Sequence, residues 1–364
     1  MPTKIEWCDE TWNPLVGCDK ASAGCDNCYA IRVAHRGLAA QHRGLTVVPD
    51  GTTTPEWNGK VNLVPDLLDR PIRWRRPRRV FVNSLSDLFH PQVPTDYIAK
   101  VFAAMALAPH HVFQVLTKRP ARMQRLLSSY EWAERVEDAA QRLTATSKAA
   151  SKALEARGGI LALPLADPVL PNVWLGVSVE DNRVAWRADH LRATPAAVRW
   201  VSAEPMIGPL DELDLTGMDW IVAGGESGPG ARPLHPQWLR DLRDRCATYG
   251  CRRCRAGFSM PLGITCEDHD PRRGPAFHFK QWGDWCPPTV AGLGPVSGTH
   301  HLLVDGRLQK RTERLGMDHL LRPVLVTRVG KGKAGRELDG RTWDEWPAGH
   351  EHLGEWAPEA GARN

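Results

Sequence analysis

Six short β-type runs recur along this chain, each passing into a polar cluster ahead of a helical pattern, and that alternation constrains the fold most. Residues 80–82 lead into Asn83-Ser-Leu-Ser-Asp-Leu-Phe-His, 112–116 into Thr117-Lys-Arg-Pro, and 173–179 into Glu180-Asp-Asn. Residues 199–201 lead into Ser202-Ala-Glu-Pro, 220–223 into Gly224-Gly-Glu-Ser-Gly, and 277–279 into Lys280-Gln-Trp-Gly. Two weaker runs, 5–7 and 61–64, bring the expected total to eight. Helical patterns fall at 96–108, 122–128, 182–192 and 236–248, with Pro120 suited to a first helical turn. Strand-then-helix alternation implies parallel strands joined by right-handed crossovers. The expected fold is α/β, a closed (β/α) barrel of the TIM type. An open, doubly wound sheet is the rival, but there polar clusters would gather at one switch point and not after nearly every strand.

The barrel is assigned to residues 1–286, including an Ala-rich helical insertion at 131–158 and a Cys/His insertion at 251–274. Residues 287–364 form a Gly-, Arg- and His-rich extension expected to pack on the barrel. An apolar share of 42% and a charged share of 24% exclude a disordered chain. The N-terminus has no apolar core of a signal peptide, and the longest apolar stretch, 160–179, is cut by Pro164, Asp167, Pro168 and Pro171. A cytoplasmic protein with no membrane partner is expected, in a compartment that keeps thiols reduced. Nine cysteines there suggest metal ligands more than disulfides.

Cys18, Cys25 and Cys28 form C-x6-C-x2-C in a loop after the first expected strand. Thiolates select iron–sulfur clusters, zinc or copper(I). Three thiolates on a four-iron cluster would leave one iron open to another ligand. A structural zinc completed by Cys8 or His35 is the competing reading. Cys251, Cys254, Cys266 and His269 have the paired spacing of a Cys3His structural zinc site, with Cys246 able to replace one ligand. A second iron–sulfur cluster is the alternative there.

The opening IEWCDETWNPLVGCDKASAGCDNCYA is followed by FVNSLSDLFHP, FQVLTKRP, WLGVSVED, VSAEPMIGPL, IVAGGESGPGARP, FHFKQWG and RVGKGKAGRELDGRTWDEWP. Together these motifs resemble a phage-associated family with a three-cysteine motif, named after phage gene products thirty-seven and sixty-eight and regarded as radical-SAM-like. The resemblance implies a barrel whose [4Fe–4S] cluster, on Cys18, Cys25 and Cys28, binds S-adenosylmethionine and cleaves it reductively, with an electron donor as partner. The family usually has Thr where this chain has Cys8, which reads as a packed thiol. The C-x6-C-x2-C spacing is longer than the commonest radical-SAM motif, and the aromatic Tyr29 follows the third cysteine where that motif has an aromatic before it.

The polar residues after the strands would converge on the barrel mouth. Lys118, Glu204, Glu226 and Lys280 are the candidate catalytic residues, and Asp87, Arg119, Glu180, Gly224, Gly225 and Gln281 the candidate cofactor-binding ones. A zwitterionic cofactor needs a carboxylate near its ammonium, a role for Glu204 or Glu226, and a cation near its carboxylate, a role for Lys118, Arg119 or Lys280. A ring of mutual ion pairs closing the barrel is the structural alternative. Arg70–Arg79 holds six Arg around Trp74, while Arg122, Arg125, Arg328, Lys331, Lys333 and Arg336 add basic charge elsewhere. A nucleotide or nucleic-acid base is therefore the expected substrate class. The other function classes are a metal-stabilised nucleic-acid-binding protein and a non-redox metal-dependent hydrolase.

Overall fold

A computed structural model describes residues 3, 5–159, 161, 169–249, 274–290, 292, 298–311 and 323–355. Its main strands are β1 (Glu10–Trp12), β2 (Arg79–Val82), β3 (Val112–Thr117), β4 (Val173–Ser178), β5 (Val198–Ala203), β6 (Trp220–Gly224) and β7 (Ala276–Gln281). They form a seven-stranded sheet in sequence order, with β1–β2, β2–β3, β3–β4, β5–β6 and β6–β7 paired in parallel. Among the described residues β1 has only β2 as a strand neighbour and β7 only β6, so the sheet is open.

The expected closed TIM-type, radical-SAM-like barrel is therefore corrected to an open parallel sheet. The doubly wound rival fails too, because among the described residues the strand order never reverses and has no switch point. Three local events explain the missing closure. The run at 5–7 forms no strand, and β1 begins at Glu10. Asn62–Leu63 pairs antiparallel with Leu15–Val16, outside the main sheet. The outer edge of β7 is also occupied. Phe279 N–H donates to Trp343 O (2.9 Å), Glu345 N–H donates to Phe277 O (3.3 Å), and His278 faces Asp344 in an antiparallel bridge. A chain segment thus covers the edge that barrel closure would have used.

The molecule divides into two units, Met1–Ser178 with Asp189–Arg199, and Val179–Ala188 with Trp200–Asn364. In the first, helix α1 (Tyr29–His35) follows the cysteine loop, and α2 (Thr95–Ala106), α3 (Pro120–Leu127), α4 (Trp132–Thr144) and α5 (Lys148–Glu155) are among its further helices. The Ala-rich insertion is thus two helices, and Ser147 caps α5 by accepting from Ala150 N–H at 3.2 Å. Phe102 meets Trp132 edge-on at 5.2 Å, and Val80, Val82, Phe113 and Val115 fill the core. Each such side chain contributes about 1.5–3 kcal/mol of burial.

In the second unit, Trp220 stacks on Trp346 at 5.0 Å and gives its indole N–H to Glu345 O at 2.9 Å. The helix Pro236–Thr248, here α6, opens with Pro and is capped by His235, whose Nδ1 accepts from Gln237 N–H at 3.1 Å. A separate four-stranded sheet, Trp285–Cys286, Val324–Arg328, His300–Leu302 and Leu308–Lys310 in spatial order, packs Trp285, Leu302 and Val326 with Ala231. Among the described residues no helix is long and apolar enough to cross a membrane.

Candidate functional site

The C-x6-C-x2-C loop begins where β1 ends. After Leu15–Val16 the chain turns at Gly17, with φ at +107°, where an added Cβ would stand 2.3 Å from Lys60 O. Glycine alone fits there, and Cys18 follows directly. A 3-10 turn, Ala23–Cys25, carries the second thiol, and Cys28 sits at the N-cap of α1. The backbone N–H groups of Ala30 and Ile31 at the start of the helix favour its thiolate. These three thiols are partly exposed, whereas Cys8, Cys246 and Cys286 are buried.

Electrostatics hold two of the thiols in their protonated form. Burial pushes Cys18 up to about 12, Asp87 and Cys25 adding to the rise while Arg119 opposes it. Burial also raises Cys28, opposed by its two backbone hydrogen bonds and by Lys118. Neither is an activated free nucleophile, and each ionises only when additional positive charge arrives, as metal ligation supplies. Among the described residues no three His, Cys, Asp or Glu side chains converge to hold a single metal ion. A single zinc needs all its sulfurs about 2.3 Å from one centre. A cubane cluster takes each thiolate on a different iron, so its ligands need not converge on a point.

The loop after β2 lies along the cysteine loop. Asn83 N–H donates to Trp12 O at 2.9 Å, Tyr29 OH donates to Ser84 O at 2.7 Å, and Gly17 N–H donates to Leu85 O at 3.1 Å. Ser86 OH donates to Leu15 O at 2.9 Å. Asp87, buried at the end of this run, accepts from Thr117 OH (2.7 Å), Phe89 N–H (2.9 Å), Lys118 N–H (3.0 Å) and Arg119 Nη1 (2.9 Å). Burial raises its pKa against the pull of these donors. Arg119 carries the arrangement to the thiols, with Nη1 3.7 Å from Cys18 Sγ and Nη2 paired to Asp19. His90 Nε2 stands 3.3 Å from Asp19. Asp19 and His90 were not singled out by sequence reasoning, since neither has a motif of its own. Position after a strand was the only available signal for His90.

The remaining candidates lie in the second unit, at and just after its strand ends. Glu204 and Lys280 pair at 2.9 Å, each largely buried. Glu226 is held by Arg232, from Nη2 at 2.7 Å, Nε at 2.9 Å and the backbone N–H at 2.8 Å. Glu180 and Arg187 form a buried pair at 3.1 Å. A Cβ at Gly224 would stand 2.7 Å from Glu204 Oε1, and one at Gly225 would stand 1.9 Å from Trp282 O. The close approaches at these glycines are thus made by the protein itself. Gln281 is buried with its Oε1 unpartnered among the described residues. Sequence reasoning named neither Arg187 nor Arg232, because their roles come from carboxylates seven and six residues away.

Cys251, Cys254, Cys266 and His269 lie outside the described residues. Among the basic residues, Arg122 binds the carbonyls of His90 and, at 2.6 Å, Val93, while Arg328 binds Gly228 O at 2.9 Å and Asp284 at 3.1 Å. The guanidinium groups of Arg70 and Arg78 stand over the Trp74 ring, 5.5 and 5.1 Å from its centroid. Trp282 and Trp285 give their indole N–H groups to Glu337 O and Ala231 O, as wall-packing tryptophans do.

Comparison with protein-family models matches residues 2–254 and 264–347 to a family described as a protein of unknown function, DUF5131. No curated protein and no solved structure matches the chain.

Proposed function

The chain belongs to this DUF5131 family, and from that premise we propose that it is an iron–sulfur enzyme that cleaves S-adenosylmethionine reductively. The observation that carries the reading is the trio of partly exposed thiols on the loop after β1, backed by Arg119 and Asp87. The donor set suits the group, since three soft thiolates on one loop would hold three irons and leave the fourth open. Cys18, Cys25 and Cys28 would hold the cluster, which with an external electron donor would supply one-electron chemistry for breaking a sulfonium C–S bond into methionine and a carbon radical.

The chain's own residues provide the setting. Asp87 fixes the backbone at Lys118 and the guanidinium of Arg119, so a cation faces Cys18 in a set position. Lys118 places its ammonium in the field of Cys28. In the second unit, Glu204 and Lys280 hold each other in a largely buried ion pair at 2.9 Å. Glu180 and Glu226 are given to Arg187 and Arg232.

The test is anaerobic reconstitution with iron and sulfide, followed by reduction in the presence of S-adenosylmethionine. About four irons per chain, a visible sulfur-to-iron charge-transfer band and 5′-deoxyadenosine as product are expected. All three are lost in Cys28→Ala. Zinc alone at the three cysteines, or a loaded cluster that releases no 5′-deoxyadenosine, sinks the proposal.

A further inference from the structure

Two non-glycine residues among those described hold a left-handed backbone, Asn83 with φ at +67° and Asp339 with φ at +55°. Asp339 spends its carboxylate on Arg240 and Arg243. Asn83 differs. Its side chain is 3% exposed, and neither Oδ1 nor Nδ2 has a hydrogen-bond partner among the described residues. Strained backbone and an unsatisfied buried amide each oppose folding, and their coincidence marks a position held for a ligand.

Asn83 is the first residue after β2, at the carboxyl end of a parallel strand. Its N–H donates to Trp12 O, and its neighbour Ser84 takes Tyr29 OH on its carbonyl and hydrogen-bonds Asn13 (3.1 Å) through its hydroxyl. Leu85 and Ser86 then bind Gly17 and Leu15. Asn83 thereby begins the segment that is laced onto the three-cysteine loop.

The unmet groups state what the ligand must offer. A carboxylate or phosphate has acceptors only and would leave Oδ1 unpaired, while an ammonium has donors only and would leave Nδ2 unpaired. A planar edge with a donor beside an acceptor meets both. Adenine is such an edge, with its exocyclic amine donating and a ring nitrogen accepting, the geometry in which Asn reads adenine in nucleic acids.

We propose that Asn83 is a binding residue that reads the adenine edge of the adenosyl cofactor. The assignment rests on the reading of the three-cysteine loop as a site for S-adenosylmethionine.

The experiment is calorimetric titration of the anaerobically reconstituted full chain with S-adenosylhomocysteine, which needs no reduction. S-inosylhomocysteine, bearing an acceptor where adenine has its amine, is titrated alongside. Wild type should prefer the adenosyl ligand. In Asn83→Ala and Asn83→Gly, affinity for it should fall roughly 5- to 150-fold, the range a bidentate base contact supplies, and the preference should vanish. Iron content should stay at the wild-type value. Ligand-free Asn83→Gly should melt no lower than wild type, since glycine relieves both the backbone strain and the unmet amide.

An unchanged preference in the variants overturns the proposal, as does a wild type that binds neither ligand. A lowered melting temperature with unchanged preference does so as well, making Asn83 part of the fold only. Iron analysis keeps the two readings apart. Adenosyl binding that depends on Asn83 in a protein that takes up no iron upholds this inference and removes the cluster. Full iron with binding indifferent to Asn83 does the reverse.

Discussion

Replacing one member of the Glu180–Arg187 pair should be among the most damaging single changes to this protein's stability. Arg187 Nη1 lies 3.1 Å from Oε2 and 3.4 Å from Oε1 of Glu180, and the two side chains are 2% and 1% exposed. At an effective dielectric of about 20, charges about 3 Å apart attract by roughly 5 kcal/mol, an amount offset by several kcal/mol of desolvation for each ion. The pair therefore adds little net stability, yet removing either partner leaves the other's buried charge short of this ion pair. Glu180→Gln and Arg187→Met should each cost about 3–5 kcal/mol, while Glu180→Leu combined with Arg187→Met should lie within about 1 kcal/mol of wild type or above it. Urea unfolding of the ligand-free chain, followed by tryptophan fluorescence and circular dichroism, gives all four values and the coupling between them. Single variants costing under about 1 kcal/mol, or a double variant as damaged as the sum of the singles, would refute the reasoning. Cofactor loading supplies a second check. Because Arg187 occupies the Glu180 carboxylate, folded Glu180→Gln should take up iron as wild type does, and a selective loss would return Glu180 to a ligand-binding role.

Three further outcomes follow from the geometry. Tyr97 OH donates to Pro14 O at 2.6 Å and accepts from Val64 N–H at 3.2 Å, so Tyr97→Phe should cost about 1–3 kcal/mol by thermal or urea unfolding. It should also lower iron uptake by loosening the entry to the cysteine loop. Gly225→Ala would drive a Cβ to 1.9 Å from Trp282 O, and a loss of about 3 kcal/mol or more, seen as a lowered melting temperature, is expected. Burial lowers the pKa of His111 from 6.5 to about 4, with His110 and Arg78 adding to the effect. Between those values the unfolded chain binds the proton that the folded chain refuses, so stability is full above 6.5 and declines as pH falls toward 4. Melting temperatures across that range should slope less steeply in His111→Gln, and an unaltered slope would exclude His111 as the source.

The strands were legible because each is a short buried run bounded by polar residues. Expected runs at 80–82, 112–116 and 220–223 lie inside β2, β3 and β6, and the 236–248 helix ends where expected. β1 was misplaced because its pattern is Glu-Thr-Trp, whose buried Glu10 reads as polar until Arg78 is seen 3.3 Å from it. Closure could not be read at all. Local periodicity reports a strand but not its neighbours, and the bonds that occupy the edge of β7 come from residues more than sixty positions away. At the site, spacing pointed to the three cysteines, and position after a strand pointed to Asp87, Lys118 and Arg119. Which carboxylates would be consumed by Arg187 or Arg232 was not legible, because any of them could have faced a ligand. Asn83 was equally hidden, since Asn after a strand is ordinary turn chemistry until its φ and its unmet amide are known.

The central claim is that Cys18, Cys25 and Cys28 hold a redox-active cluster. It is tested most directly by iron and sulfide analysis, with electron paramagnetic resonance of the reduced protein, on wild type and on single Cys→Ala variants at those positions and at buried Cys286. About four irons and four sulfides per wild-type chain are expected. Also expected are a spectrum that changes when S-adenosylmethionine is added, loss of both in each loop variant, and no loss in Cys286→Ala. Cluster content that survives Cys18→Ala, Cys25→Ala and Cys28→Ala, or a wild-type chain that takes up only zinc under the same conditions, would contradict the claim.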